Sequence, residues 1–260
     1  MKLCRFRLAG SADPTIRHGA LEGNTVRQLA GAWPAALSPT EQSWPVDRVE
    51  LLAPVAPSKI VCVARNYQKH AAELGNAVPG EPLIFLKAPS SVIGPGQAIE
   101  LPPDSARVDH EGELGVVIGR ECSRLAPGQP IEPYLAGFTC LNDVTARDLQ
   151  KKDGLFGRAK SFDTFCPMGP AIETDFDWKC ARVETWVNAE RRQSGVTTDM
   201  IFPVDVLVGW ISRIMTLLPG DVIATGTPEG ISALAAGDVV EIAIEGIGRL
   251  SNPVRARSVR

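Results

Sequence analysis

The chain has 260 residues, with 27 Lys and Arg against 30 Asp and Glu, a net charge of −3 and a hydrophobic fraction of 44%. That size and composition suit one large globular domain, or one domain with a small appendage. They carry no electrostatic footprint for nucleic acid or an anionic membrane, and no apolar run approaches the roughly 18 residues of a membrane span.

In chain order, residues 1–54 read as a small N-terminal subdomain and linker, and 55–260 as the main domain. Leu3 to Leu8 and Thr25 to Leu29 are short strands, and Pro54 and Pro57 restrict the backbone at the boundary. His18 has no partner near it in sequence and reads as a surface residue. Lys59 to Ala64 is a buried strand running into a helix over Arg65 to Leu74, with Gly75 as its stop. On that helix His70 and Glu73 are three apart and so are neighbours. They form either a carboxylate-oriented imidazole fit for general-base work or an exposed polar face. Pro82 to Lys87 is a further strand, with a lysine at its end that is either solvated or reaches an anion.

Val108 to Gly119 reads as one strand, β-branched in its second half and closed by glycine. Glu111 and Glu113, two apart, share a face. Two adjacent carboxylates repel, so the pair is either a solvated face or part of a divalent metal site that needs a third carboxylate. Tyr134 to Leu141 is an apolar strand leading to Asn142 and Asp143. Asp143 is either that third oxygen ligand or, like Asn142, the N-cap of a short helix on which Arg147 and Gln150 lie one turn apart. Lys160 to Pro170 is turn-rich, and Lys160 either balances a carboxylate cluster or is solvated. A strand pair follows around Ala181 to Asn188, turning at Ala189 to Arg192. Asp205 to Leu218 is the best helix, with Val206, Leu207, Trp210, Ile211, Ile214 and Leu218 as its core stripe. Asp221 to Ala224 is a strand entering the glycine-bearing loop Thr225 to Ile231, and Asp238 to Ile244 with the segment around Leu250 closes the sheet.

Several chemistries are excluded. Position 114 is leucine, so His110-Glu111 does not begin a His-Glu-x-x-His zinc motif. There is no Gly-x-Ser-x-Gly elbow, Walker A loop or Gly-x-Gly-x-x-Gly. The six cysteines form no Cys-x-x-Cys pair, which removes zinc ribbons and thioredoxin-like motifs, and a thiol nucleophile would have only His70 as partner. Met1-Lys2-Leu3-Cys4-Arg5 runs into charge where a signal peptide would be apolar, so reduced thiols and a cytoplasmic location are expected.

Taken together, Val61 to Glu73, Phe85-Leu86-Lys87, His110 to Leu114, Asn142 to Asp148, Lys160 to Asp163 and Gly226-Thr227-Pro228 resemble the fumarylacetoacetate hydrolase superfamily. The likeness runs over about residues 55–255, in order and spacing. The nearest group contains acylpyruvate hydrolases, oxaloacetate decarboxylases and 2-hydroxyhepta-2,4-diene-1,7-dioate isomerases. The resemblance implies a mainly β (α+β) fold, a mixed β-sandwich roll with a small N-terminal subdomain, and a homodimer. It also implies Mg²⁺ or Mn²⁺ held by Glu111, Glu113 and Asp143. His70 and Glu73 become the base pair on a lid, and Lys160 a catalytic cation beside the metal. Arg147, Gln150 and Thr227 would contact substrate, with Tyr67 near the lid. Ala64 departs from the glycine common before the arginine, and Gly112 stands where a larger residue is usual and should face away from the metal.

A metal held by three carboxylates suits a 2-oxo acid that chelates through its carboxylate and keto oxygens, with an enolate stabilised as the common intermediate. C–C hydrolysis of an acylpyruvate-type substrate is the preferred outcome, because the His/Glu pair is intact. Decarboxylation or isomerisation of oxaloacetate or hydroxymuconate-type diacids is the alternative. A reading of another class is a non-catalytic, metal-binding family member.

Overall fold

Leu114, Val116 and Ile118 alternate with Val117 along the strand Gly112–Ile118, and all four are fully buried. A strand apolar on both faces needs cover on both sides. The computed structural model describes residues 1–34 and 36–258 and supplies both covers. Gly112–Ile118 lies within a 12-stranded mixed sheet, antiparallel to Leu135–Asn142 on one side and to Val222–Ala224 on the other. Past Leu135–Asn142 come Cys166–Glu173 and then Lys2–Leu8, Arg17–Glu22, Thr25–Ala32 and Ala36–Pro45. Past Val222–Ala224 come Ile60–Ala64, parallel to it, and Leu83–Lys87.

A second sheet of five strands runs Glu190–Val196, Arg182–Val187, Val239–Ile244, Gly248–Ala256 and Ile99–Leu101. Val183, Val240, Ile242 and Ile244 of this sheet pack in one cluster with Leu114, Val116 and Ile118. Val117 faces away from it, into a cluster with Leu141, Met168, Cys62 and, from the N-terminal strands, Leu3 and Leu29. The result is the mainly β, mixed-sheet roll of the expected class. The first strand pairs Lys2 with Glu173 and Leu3 with Ile172, so the N-terminal segment extends the large sheet without a break in it.

Several elements differ from the sequence reading. The segment Val108–Gly119 is two strands, Val108–Asp109 and Gly112–Ile118. Between them the Glu111 N–H leaves the ladder for Asn142 Oδ1 at 3.0 Å. The helix expected over 65–74 spans only Gln68–Glu73, because Arg65 takes a left-handed backbone with φ 57°. Asn142 and Asp143 cap no helix, since Thr145–Ala146 forms a strand before the helix Arg147–Asp153 begins. Glu190, Arg191 and Arg192 belong to a strand, and the turn is at Asn188 and Ala189, both with positive φ.

The long helix is Val204–Ile214 and stops where Met215 becomes extended; Leu217 is then buried by bridging to Cys122. Its buried residues are Val204, Leu207, Val208, Ile211 and Ser212, whereas Val206, Ile214 and Leu218 are exposed. The last strands do not close the large sheet. They build the second one, because their alternating apolar faces cover Gly112–Ile118.

Gly112 is the contact point between the sheets. A Cβ there would lie 2.1 Å from Thr185 Oγ1 and 3.0 Å from Ile242 Cδ1. Gly112→Ala should therefore lower stability by about 1–3 kcal/mol through overpacking, read as a shifted midpoint in urea denaturation with an unchanged slope.

Candidate active site

The end of the Leu135–Asn142 strand and the start of Gly112–Ile118 bring three carboxylates together. Glu111, Glu113 and Asp143 each offer an oxygen, all within 4.8 Å of one another, and their residues are 4%, 2% and 1% exposed. The Asp143 N–H donates to Glu111 O at 2.8 Å, which ties the two chain segments directly.

Three buried cations surround the carboxylates. Lys160, on the short helix Gly157–Lys160, places Nζ 2.6 Å from Glu111 Oε2 and 2.6 Å from Asp143 Oδ2. Lys87 Nζ donates to Asp143 Oδ1 at 2.6 Å and to Val144 O at 3.2 Å. Arg147 donates to Glu111 Oε1, to Asp109 Oδ2 at 2.9 Å and to Gln150 Oε1 at 2.7 Å.

Burial disfavours the Glu111 carboxylate, but Lys160 and Arg147 outweigh it and hold the group well below the usual carboxylate range. Burial likewise opposes the Lys160 ammonium, and Asp143 and Glu111 overcome it, so the lysine stays charged. Glu113 is the exception. It accepts one hydrogen bond, from the Gly226 N–H at 2.7 Å, and has no ion-pair partner among the described residues. Burial, then Asp143 and Glu111, push its pKa well above the usual range.

The donor set is all oxygen, and one of its carboxylates lacks a balancing positive charge. Such a set fits a hard divalent cation. Glu111, Glu113 and Asp143 are the residues that could hold it.

These groups open on a cavity of about 290 Å³ that His70, Arg147, Gln150, Lys160 and Thr227 also line. His70 is buried, not part of an exposed polar face. Its Nδ1 lies 3.2 Å from Glu73 Oε2. A carboxylate only accepts, so Nδ1 carries the hydrogen and Nε2 is left as the basic nitrogen. The other Glu73 oxygen accepts from the Gly230 N–H at 3.1 Å, linking the short helix to the Thr225–Ile231 loop.

Thr227 Oγ1 donates to Gly112 O at 2.8 Å. Tyr67 does not line this cavity; it is buried against a neighbouring cleft with Asp199, Met200 and Glu229, and its hydroxyl has no hydrogen-bond partner among the described residues. His110, next in sequence to Glu111, bonds Gln193 and Ser232 through its two ring nitrogens. Burial lowers its pKa to about 4, so it is neutral and structural.

Two residues beyond the sequence-derived set matter. Lys87 was visible only as a lysine closing an apolar strand. Gln193 gave no signal in its polar hairpin, yet it joins the sheets at the site. Its Oε1 accepts from Gly112 N–H at 3.0 Å and Thr185 Oγ1 at 2.7 Å. Its Nε2 donates to Thr227 Oγ1 at 2.8 Å and Pro228 O at 2.7 Å.

With this geometry in place, comparison with known proteins is decisive. The family model described as fumarylacetoacetate (FAA) hydrolase C-terminal matches residues 59–255. The chain belongs to this family. Residues 1–54 match a second model, Rv2993c-like, N-terminal. Protein Rv2993c of Mycobacterium tuberculosis is 50% identical over 218 residues, which cover 83% of this chain and 82% of that one. The oxaloacetate tautomerase YisK of Bacillus subtilis is 41% identical over 266 residues, 95% of this chain and 87% of that one. The solved structure of 2-hydroxyhepta-2,4-diene-1,7-dioate isomerase from Mycobacterium marinum matches with a TM-score of 0.90 at 41% identity, covering 100% of both chains. This fumarylacetoacetate hydrolase family chain thus has relatives named for tautomerase and isomerase activity.

Glu113→Gln separates the metal site from a merely structural cluster. The amide keeps an acceptor for Gly226 N–H and the shape of the side chain but cannot become the anion that a cation needs. Metal affinity by calorimetry should fall at least about 10-fold, while the melting temperature of the metal-free protein changes little. Unchanged affinity would remove Glu113 from the ligand set.

Proposed function

We propose that this protein is a Mg²⁺- or Mn²⁺-dependent enzyme that interconverts the enol and keto forms of a 2-oxo acid. One observation carries the reading: the carboxylate triad and His70, which is held by Glu73, line a single cavity. The tautomerase and isomerase names of the relatives support proton movement without bond cleavage, ahead of the C–C hydrolysis favoured by the sequence resemblance.

Held by Glu111, Glu113 and Asp143, the metal would supply positive charge to the keto and carboxylate oxygens of the substrate and so acidify the neighbouring carbon. His70 Nε2 moves the proton at that carbon, giving it up in the enol-to-keto direction as the hydroxyl proton leaves to solvent, and taking it in reverse. Glu73 holds the Nδ1–H tautomer throughout. Lys160 adds fixed positive charge beside the reacting oxygen. Arg147 and Lys87 act through the carboxylates, Arg147 keeping Glu111 ionised and Lys87 orienting Asp143.

Hydrolysis of an acylpyruvate is the second reading, favoured by the same His70–Glu73 pair, which is arranged to activate a water as readily as to move a proton at carbon. Release of pyruvate from acylpyruvates would select it.

In His70→Ala, ultraviolet-monitored ketonisation of enol-oxaloacetate should slow by about 10²–10⁴-fold, with metal affinity by calorimetry unchanged. Turnover at the wild-type rate would remove His70 as the base. Chelation by EDTA should abolish activity, and added Mg²⁺ or Mn²⁺ should restore it.

A further inference from the structure

Arg65 stands between the strand Ile60–Ala64 and the helix that carries His70 and Glu73. Its φ of 57° is left-handed, a conformation unusual for a residue with a long side chain. Its neighbours enforce it. Asn66 is fully buried; its Nδ2 donates to Thr225 O at 2.7 Å and Phe202 O at 3.0 Å, and its Oδ1 accepts from Phe202 N–H at 2.8 Å. Gly226 packs so closely on Asn66 that a Cβ there would lie 2.7 Å from Asn66 Cβ. A strained backbone that its surroundings over-determine points to use of the side chain.

Arg65 lines the cavity of the carboxylate triad. The buried cations of that cavity, Lys160 and Arg147, are both engaged by carboxylates. Half-buried Arg65 makes no ion pair and no side-chain hydrogen bond among the described residues. Exposed Lys151 adds positive charge to the same cavity, and the stacked rings of Phe85 and Phe156, 4.7 Å apart, give it an apolar wall. An unspent guanidinium beside an apolar wall is a receptor for a carboxylate, which it grips through two parallel N–H bonds.

The 2-oxo acid head would already be engaged at the triad. We propose that Arg65 recognises a second carboxylate at the far end of the substrate, so that the enzyme selects dianionic 2-oxo diacids over acylpyruvates with neutral tails. This rests on the function proposed above and names its substrate class.

The test uses two inert chelating probes that share the oxalyl head. N-oxalylglycine carries a distal carboxylate and oxamate carries none. Calorimetry on the Mg²⁺-loaded protein should show N-oxalylglycine binding wild type at least about 10-fold more tightly than oxamate. Arg65→Asn, whose side chain tolerates the left-handed backbone, should bring the ratio near one chiefly by weakening the diacid, and Arg65→Lys should keep part of it. A ratio that survives in Arg65→Asn, or wild type that shows no preference, overturns the proposal. If Arg65→Asn melts early, Arg65→Lys decides: a ratio equal to that of wild type then counts against bidentate recognition. Absence of oxaloacetate turnover by wild type would defeat the enolisation reading separately, since the binding ratio needs no chemistry.

Discussion

Three carboxylates buried within 4.8 Å of one another set the terms for the rest of the molecule. Like charges this close, and this far from water, are tolerated only with positive charge between them. Lys160 bridges Glu111 and Asp143, Lys87 takes the other oxygen of Asp143, and Arg147 takes the other oxygen of Glu111. Each cation arrives from a different part of the chain: the strand Leu83–Lys87, the helix Arg147–Asp153 and the helix Gly157–Lys160. Folding of those segments and neutralisation of the cluster are therefore one event. Among the described residues Glu113 alone of the three lacks a cationic partner, and this is where the cluster could take a cation from outside.

The second sheet positions this cluster as well as covering the core. Gln193 reaches from it to the backbone of Gly112, between the two glutamates, and to Thr227 in the loop after Val222–Ala224. The next residue along that loop toward the strand, Gly226, donates to Glu113. Glu111 and Glu113 are thereby fixed from both faces of their strand, with Gly112 left bare because Thr185 occupies the space a side chain would need. The short helix with His70 is joined to the Thr225–Ile231 loop through Glu73 to Gly230 and an exposed Lys69–Glu229 pair at 3.6 Å.

The same acidic cluster would suit tautomerisation, decarboxylation or C–C cleavage, because each proceeds through stabilisation of negative charge on the keto oxygen. What distinguishes them lies at the periphery, in the base, in the access of water and in the groups that meet the far end of the substrate. Arg65 belongs to that periphery. Its left-handed backbone is held beside the buried hydrogen bonds of Asn66, so the selectivity proposed for Arg65 would depend on structural contacts away from the chemistry.

Much of this was legible in the sequence. Glu111 and Glu113 do converge, as their two-residue spacing suggested, although Glu111 lies in the break between two strands. An acidic residue ending an apolar strand, and a histidine one helical turn from a glutamate, are local patterns that survive folding. Residue pairs separated by a few positions are decided by backbone geometry, and sequence reports them. Other features depended on what folding brings opposite. Lys87 by local rules is either solvated or reaches an anion, and it is a buried ion-pair partner because Asp143 meets it 56 residues later. The long helix ends at Ile214, and beyond it Leu217 bridges to Cys122 in place of continuing the stripe. Gln193 and the left-handed turn at Arg65 answer to partners on other strands. The chain alone determined which side chains could do the chemistry. The tertiary fold decided which of them are neutralised and which stay available, because charge balance in a buried site is set by contacts across the sheets and cannot be read along a single strand.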